Sequence, residues 1–108
     1  MSSAPTDDAI FKALASPIRR AILDALKDRP QTTGVLCLRF ADLDRCTVMQ
    51  HLKVLEEAEL VVAHRRGRER WNHMNPLPIK RIHERWIGAY AMRALQRLDE
   101  LKAGLEAG

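Results

Sequence analysis

The chain lacks what several broad classes of protein require. Its two cysteines, Cys37 and Cys46, cannot make the disulfide framework of a small secreted domain, and a reducing compartment would keep both as thiols. No apolar run approaches the ~20 residues of a membrane span. The opening MSSAPTDD has neither the basic nor the apolar region of a signal peptide, so the expectation is a cytoplasmic protein that does not enter a membrane. There is no Gly-rich phosphate loop. No Ser/His/Asp or Cys/His set falls where the expected helices would bring it together, which argues against an enzyme and against a cofactor. His51, His64, His73 and His83 are scattered over three elements, whereas zinc or a softer ion needs three or four convergent ligands, so no metal site is expected.

What is present fits one folded domain. A length of 108 residues allows one modest core, and 46% hydrophobic with 30% charged residues is an ordinary soluble composition. Net charge is +4, but its distribution says more. Residues 1 to 60 hold 8 Lys/Arg against 9 Asp/Glu, residues 61 to 86 hold 7 against 2, and residues 87 to 108 hold 3 against 3. The excess therefore sits in one segment, as a polyanion partner would favour and an evenly solvated surface would not.

Helical spacing organises the first half. After a flexible tail at residues 1 to 6, Ile10, Phe11 and Leu14 mark a short first helix that Thr6 or Asp7 can cap. Ser16 and Pro17 open a second helix, about residues 17 to 28, with Ile18, Ala21, Ile22, Ala25 and Leu26 inward. Thr33 can cap a third, with Val35, Leu36, Leu38 and Phe40 as its apolar set. Asp44 caps a fourth, over residues 44 to 58, whose stripe of Val48, Leu52 and Leu55 leaves Cys46, Gln50, Lys53 and Glu57 outward.

From Leu60 the pattern turns strand-like, and Arg66-Gly67 sits at the tip of a hairpin spanning residues 60 to 75. Pro78 can open a last helix, residues 77 to 105, carrying Ile79, Ile82, Trp86, Tyr90, Ala94, Leu98, Leu101 and Leu105 at steps of three and four. Such a long apolar face exceeds what a small domain covers, so a two-fold homodimer is expected to use the first and last helices through Ile10, Phe11, Leu14, Trp86, Tyr90, Leu98 and Leu101. The fold class is a mostly helical winged helix-turn-helix of order α1-α2-α3-α4-β-β-α5.

A helix polar on its outer face, followed directly by a basic ribbon, is the arrangement a duplex-reading domain needs. The helix can lie in a major groove, and its N-terminal half approaches base edges. The candidates there are Arg45, Cys46, Thr47, Gln50 and Lys53. Gln50 suits an adenine edge, Arg45 and Lys53 suit bases or phosphates, and Thr47 serves equally as a helix-start hydroxyl. In the ribbon, Arg65, Arg66, Arg68 and Arg70 would supply sequence-independent attraction, with alternate strand residues on opposite faces. His51 flanks the buried stripe and is read as a packing residue first.

Three stretches resemble the ArsR/SmtB family of bacterial winged-helix regulators. Residues 10 to 23, IFKALASPIRRAIL, resemble the family's opening. Residues 47 to 61, TVMQHLKVLEEAELV, resemble its recognition helix, and residues 65 to 76, RRGRERWNHMNP, its wing and exit. The resemblance spans roughly residues 8 to 90. It implies a homodimeric repressor that binds an inverted repeat in double-stranded DNA, commonly near its own gene, and is released by a metal, oxidant or other signal. The metal-responsive patterns of the family, a Cys-x-Cys pair on the third helix or Asp, His and Glu ligands along the last, are absent, which leaves a small-molecule or redox effector open.

Cys46 is the redox candidate, since a thiol in the first turn of the recognition helix beside Arg45 lies near the positive helix end. Cys37 is expected to pack as a small apolar group. Glu59 occupies the helix-ending position where relatives usually carry Gly, so a left-handed cap there would carry a conformational cost unless the helix ends differently. Asp42 and Asp44 are read as structural. The alternative function is a winged-helix module that uses the same surface for protein or RNA.

Overall fold

The structure, a computed structural model, describes residues 5 to 107. Positions 1 to 4 of the expected tail lie outside the described residues. Thr6 does not belong to a tail: its hydroxyl accepts the Ala9 N–H at 3.2 Å and caps α1, Asp7–Leu14. Asp7 and Asp8 then lie in the first turn, where the helix dipole favours acids. The chain divides into two compact units after Pro78.

In the first unit, Ser16 accepts the Arg19 N–H at 3.3 Å and Pro17 takes the first position of α2, Pro17–Leu26. Next comes an element that the sequence pattern does not reveal, the two-residue strand β1, Gln31–Thr32. Its extended backbone moves the third helix cap one residue earlier than expected. Thr32, not Thr33, accepts the Val35 N–H, at 3.2 Å, and starts α3, Thr33–Arg39. Of the expected apolar set on the third helix, only Leu36 is buried; Val35 and Leu38 are exposed and Phe40 is half-buried, as is Cys37.

Asp44 accepts the Thr47 N–H at 2.8 Å and opens α4, Arg45–Glu57. This helix ends in a left-handed residue, Glu59, at φ 57°. The Leu60 N–H reaches back to the Leu55 carbonyl and the Glu59 N–H to the Glu56 carbonyl, both at 2.9 Å. Those two bonds define a Schellman ending, and its hydrophobic contact pair, Leu55 and Leu60, is fully buried.

Strands β2, Val61–Arg66, and β3, Glu69–Met74, form the hairpin, with β1 on the far side of β3 in an antiparallel sheet of order β1-β3-β2. Gly67, at φ 64°, sits first in the two-residue turn, where a left-handed conformation suits glycine. The core of this unit gathers Ile10 and Ala13 from α1, Ile22 and Leu26 from α2, Leu36 from α3, and Val48, Leu52 and Leu55 from α4. Ile10 is 2% exposed and packs in its own chain's core, which removes it from the expected dimer contacts.

The expected single helix over residues 77 to 105 is two helices, α5, Leu77–Trp86, and α6, Ala89–Ala107. Gly88 lies at the break, and glycine costs about 1 kcal/mol relative to alanine inside a helix. A strict repeat of apolar residues therefore runs across a point where the backbone does not stay helical. Within α6, Tyr90, Leu95, Leu98, Leu101 and Leu105 are all exposed.

Candidate nucleic-acid interface

The surface of α4 follows directly from its buried stripe. With Val48, Leu52 and Leu55 inward, Arg45, Cys46, Met49, Gln50, Lys53 and Glu57 are exposed, while Thr47 is half-buried at the side with its N–H taken by Asp44. Asp44's carboxyl is held below the ordinary carboxylate range, first by the Thr47 backbone N–H and then by the Thr47 hydroxyl. Met49 was not among the expected site residues. Its position, four after Arg45 and four before Lys53, is the signal that places it on the same face.

The wing is sorted by its pleat. Register pairs Val61 with Met74, Ala63 with Asn72, and Arg65 with Arg70. These pairs share the face toward α4, because Val61 and Asn72 are buried and Arg70 reaches a carboxylate of α4. Val62, His64 and Arg66 point the other way with His73, Trp71 and Glu69, and the His64 and His73 rings stack there at 4.8 Å between centroids. Arg66 is thus separated from the cations that face the helix. Arg68, in the turn, is not: Arg45 of α4 and Arg65, Arg68 and Arg70 of the wing line one depression together with Thr32, Thr33, Met49 and Glu69.

Arg70 differs from the other wing cations. Its guanidinium donates to the Glu56 carboxylate, so its charge is matched within the chain. Beneath the wing, the Asn72 side-chain amide, fully buried, donates to the Gln31 carbonyl at 3.2 Å and to the Thr33 hydroxyl at 3.1 Å. One side chain therefore joins β3 to β1 and to the first residue of α3.

His51 plays the packing role expected of it, with a specific partner. Its Nδ1 lies 3.2 Å from Arg19 Nη1, and the same guanidinium donates from Nε to the Ala13 carbonyl at 2.7 Å and from Nη2 to the Lys12 carbonyl at 2.9 Å. Arg19 so satisfies carbonyls at the end of α1 while bracing α4, a role the sequence pattern does not signal. Burial, and then the charge of Arg19, push the His51 pKa down from the ordinary value of 6.5.

Cys46 is exposed in the first turn of α4. Among the described residues, no three His, Cys, Asp or Glu side chains converge as a metal ion would need, and no helix is long and apolar enough to cross a membrane.

A helix-turn-helix core with an exposed second helix and a cationic hairpin beside it defines a winged helix-turn-helix protein. A family model described as a helix-turn-helix domain matches residues 14–64, from the end of α1 into β2. The chain is 40% identical over 86 residues to the Bacillus subtilis protein named "Uncharacterized HTH-type transcriptional regulator YuzN", covering 74% of this chain and 94% of that one. It is 38% identical over 58 residues to the Bacillus subtilis "Transcriptional repressor SdpR", over 54% of this chain and 63% of the relative. Among solved structures, an ArsR family transcriptional regulator superposes with a TM-score of 0.67 at 32% identity, over 86% of this chain and 94% of the other. The chain belongs to the ArsR family of helix-turn-helix transcriptional regulators. It is a DNA-binding regulator of that type, a non-enzymatic class.

Proposed function

We propose that this regulator is a homodimeric repressor that binds an inverted repeat in double-stranded DNA upstream of its own gene and works in the cytoplasm. The observation that carries the reading is the joint placement of Arg45 on α4 with Arg65 and Arg68 on the wing around one depression, beside the exposed Gln50 and Lys53. In this reading α4 enters the major groove, Gln50 reads a base edge, and the arginines with Lys53 hold phosphates. Cys46, Thr47 and Met49 flank those contacts, and Arg66 reaches phosphates from the outer face of the wing.

The dimer is supported by the run of exposed apolar residues on α6, where Tyr90 is 87% and Leu101 61% exposed. Contiguous apolar surface of that kind marks an interaction site. Trp86, Leu98, Phe11 and Leu14 complete the proposed contact set, without Ile10. Repression is supported by the similarity to SdpR, named a transcriptional repressor.

The test is fluorescence anisotropy of the purified protein against DNA from upstream of its own gene and a scrambled control, titrated over salt. Preference for the upstream DNA, with affinity falling steeply as salt rises, is the expected result. Equal weak binding to both duplexes would defeat autoregulation and turn attention to other promoters, to RNA or to a protein partner.

A further inference from the structure

The wing places two arginines directly opposite each other. Arg65 and Arg70 are register partners in the β2–β3 ladder, and both face α4. Like charges at such a pair repel, and both belong to the depression that also takes in Arg45, Arg68 and a single acid, Glu69. Glu56 intervenes from the recognition helix and pairs with Arg70 alone of the four. Its carboxylate lies in a groove shared with Gln50 and Lys53, on the surface read as facing DNA. An acid there opposes phosphate by itself, yet paired with Arg70 it leaves no net charge.

We propose that Glu56 is a specificity-determining residue: it holds the Arg70 guanidinium off the DNA backbone and so limits sequence-independent affinity. The inference rests on the DNA-binding reading of this surface. Phosphate contacts carry no sequence information, and each added one strengthens binding to any duplex. Releasing Arg70 would add a cation to Arg45, Arg65 and Arg68 without adding a base contact. Binding to random DNA would rise relative to binding to the operator.

The experiment uses the full chain and a random-sequence duplex, with affinity measured across a salt series and folding checked by circular dichroism. Each phosphate neutralised steepens the plot of log affinity against log salt by about 0.9. Glu56→Gln is expected to steepen the slope by about that amount and to bind random duplex more tightly at low salt. Arg70→Gln, which leaves the Glu56 carboxylate unpaired, is expected not to steepen the slope, and the double variant is expected to show the slope of the unaltered protein. An unchanged or shallower slope for Glu56→Gln overturns the proposal. So does a double variant that stays steep, since Glu56 would then act through its own charge. Should Glu56→Gln fail to fold, the double variant decides, because it leaves no unpaired acid and a slope shallower than that of the unaltered protein by about 0.9 would mean that Arg70 already touches phosphate. These slopes are read on random DNA, so a protein with no preference for its own upstream sequence would lose the autoregulatory reading without altering them.

Discussion

Arg19 Nη1 stands 3.2 Å from Nδ1 of His51, and a guanidinium has no acceptor, so the imidazole accepts this bond and carries its single proton on Nε2. The pairing holds α2 against α4 through a histidine that must be neutral. It also gives α4 a brace independent of its apolar stripe.

The first prediction follows from that neutrality. The folded His51 pKa lies below 6.5, so the unfolded chain takes up the proton more readily. The stability contributed by neutral His51 is complete above about pH 6.5 and is lost as pH falls through that value toward the lower folded pKa. Melting temperature should drop on acidification from about pH 7.5 to about 5.5, and less steeply in His51→Gln. Parallel pH profiles for the two proteins would refute this role.

Glu59 holds a left-handed conformation that suits glycine. Non-glycine residues there carry a strain of about 1 kcal/mol, partly offset by the greater freedom of glycine in the unfolded chain. Glu59→Gly should raise the unfolding free energy by roughly 0.5 kcal/mol in urea titration. Asn75, whose side-chain amide donates to the Glu59 carbonyl at 2.9 Å, holds the turn in either case. A destabilised glycine variant would mean that the Glu59 side chain contributes more than its strain costs.

Asn72 is buried with two donated bonds to Gln31 and Thr33. Asn72→Ala leaves that carbonyl and hydroxyl without their donor in the interior and should cost about 2 kcal/mol. Denaturant unfolding measures it. A loss within experimental error would show that the β1 edge does not depend on this amide.

Base and phosphate contacts separate by their response to sequence and salt. Gln50→Ala should cost about 1–3 kcal/mol on the cognate duplex and little on random DNA. Arg68→Ala should weaken both alike and reduce the salt slope by about 1. Anisotropy titrations on the two duplexes check both, and the reverse pattern would exchange the assigned roles.

Leu98 and Leu101 are 59% and 61% exposed on α6. Leu98→Asp or Leu101→Asp should break the proposed dimer, giving a monomer in sedimentation velocity without a change in helical content, since neither side chain is in a core. A variant that stays dimeric at low concentration would move the interface elsewhere.

The α-helices of the first unit were legible because their signals are local. Thr6, Ser16 and Asp44 each cap the next helix through an N–H three residues on, and the 48-52-55 stripe predicts which face of α4 is exposed. The hairpin was legible from strand-like residues around Gly67. The two-residue β1 was not, since Gln31 and Thr32 carry no pattern of their own and become a strand only by pairing with Asn72 and Trp71. The sequence pattern predicts a continuous C-terminal helix because its apolar repeat is unbroken across residues 86 to 90, whereas the backbone is interrupted between Trp86 and Ala89.

The candidate site divides in the same way. Arg45, Gln50 and Lys53 follow from helical spacing alone, because neighbours within two turns decide which way a helical side chain points. Among the wing arginines, composition marks four cations without distinguishing them. The pleat and register set Arg66 apart from Arg65, the turn carries Arg68 to the shared depression, and the packing of β3 on α4 gives Arg70 its carboxylate. By itself the sequence determined the helices of the first unit, the hairpin and the location of the positive charge, all set by residues near one another along the chain. Tertiary structure decided which of those charges remain available, because Glu56 and Arg70, or Arg19 and His51, lie on different elements and meet only when those elements pack.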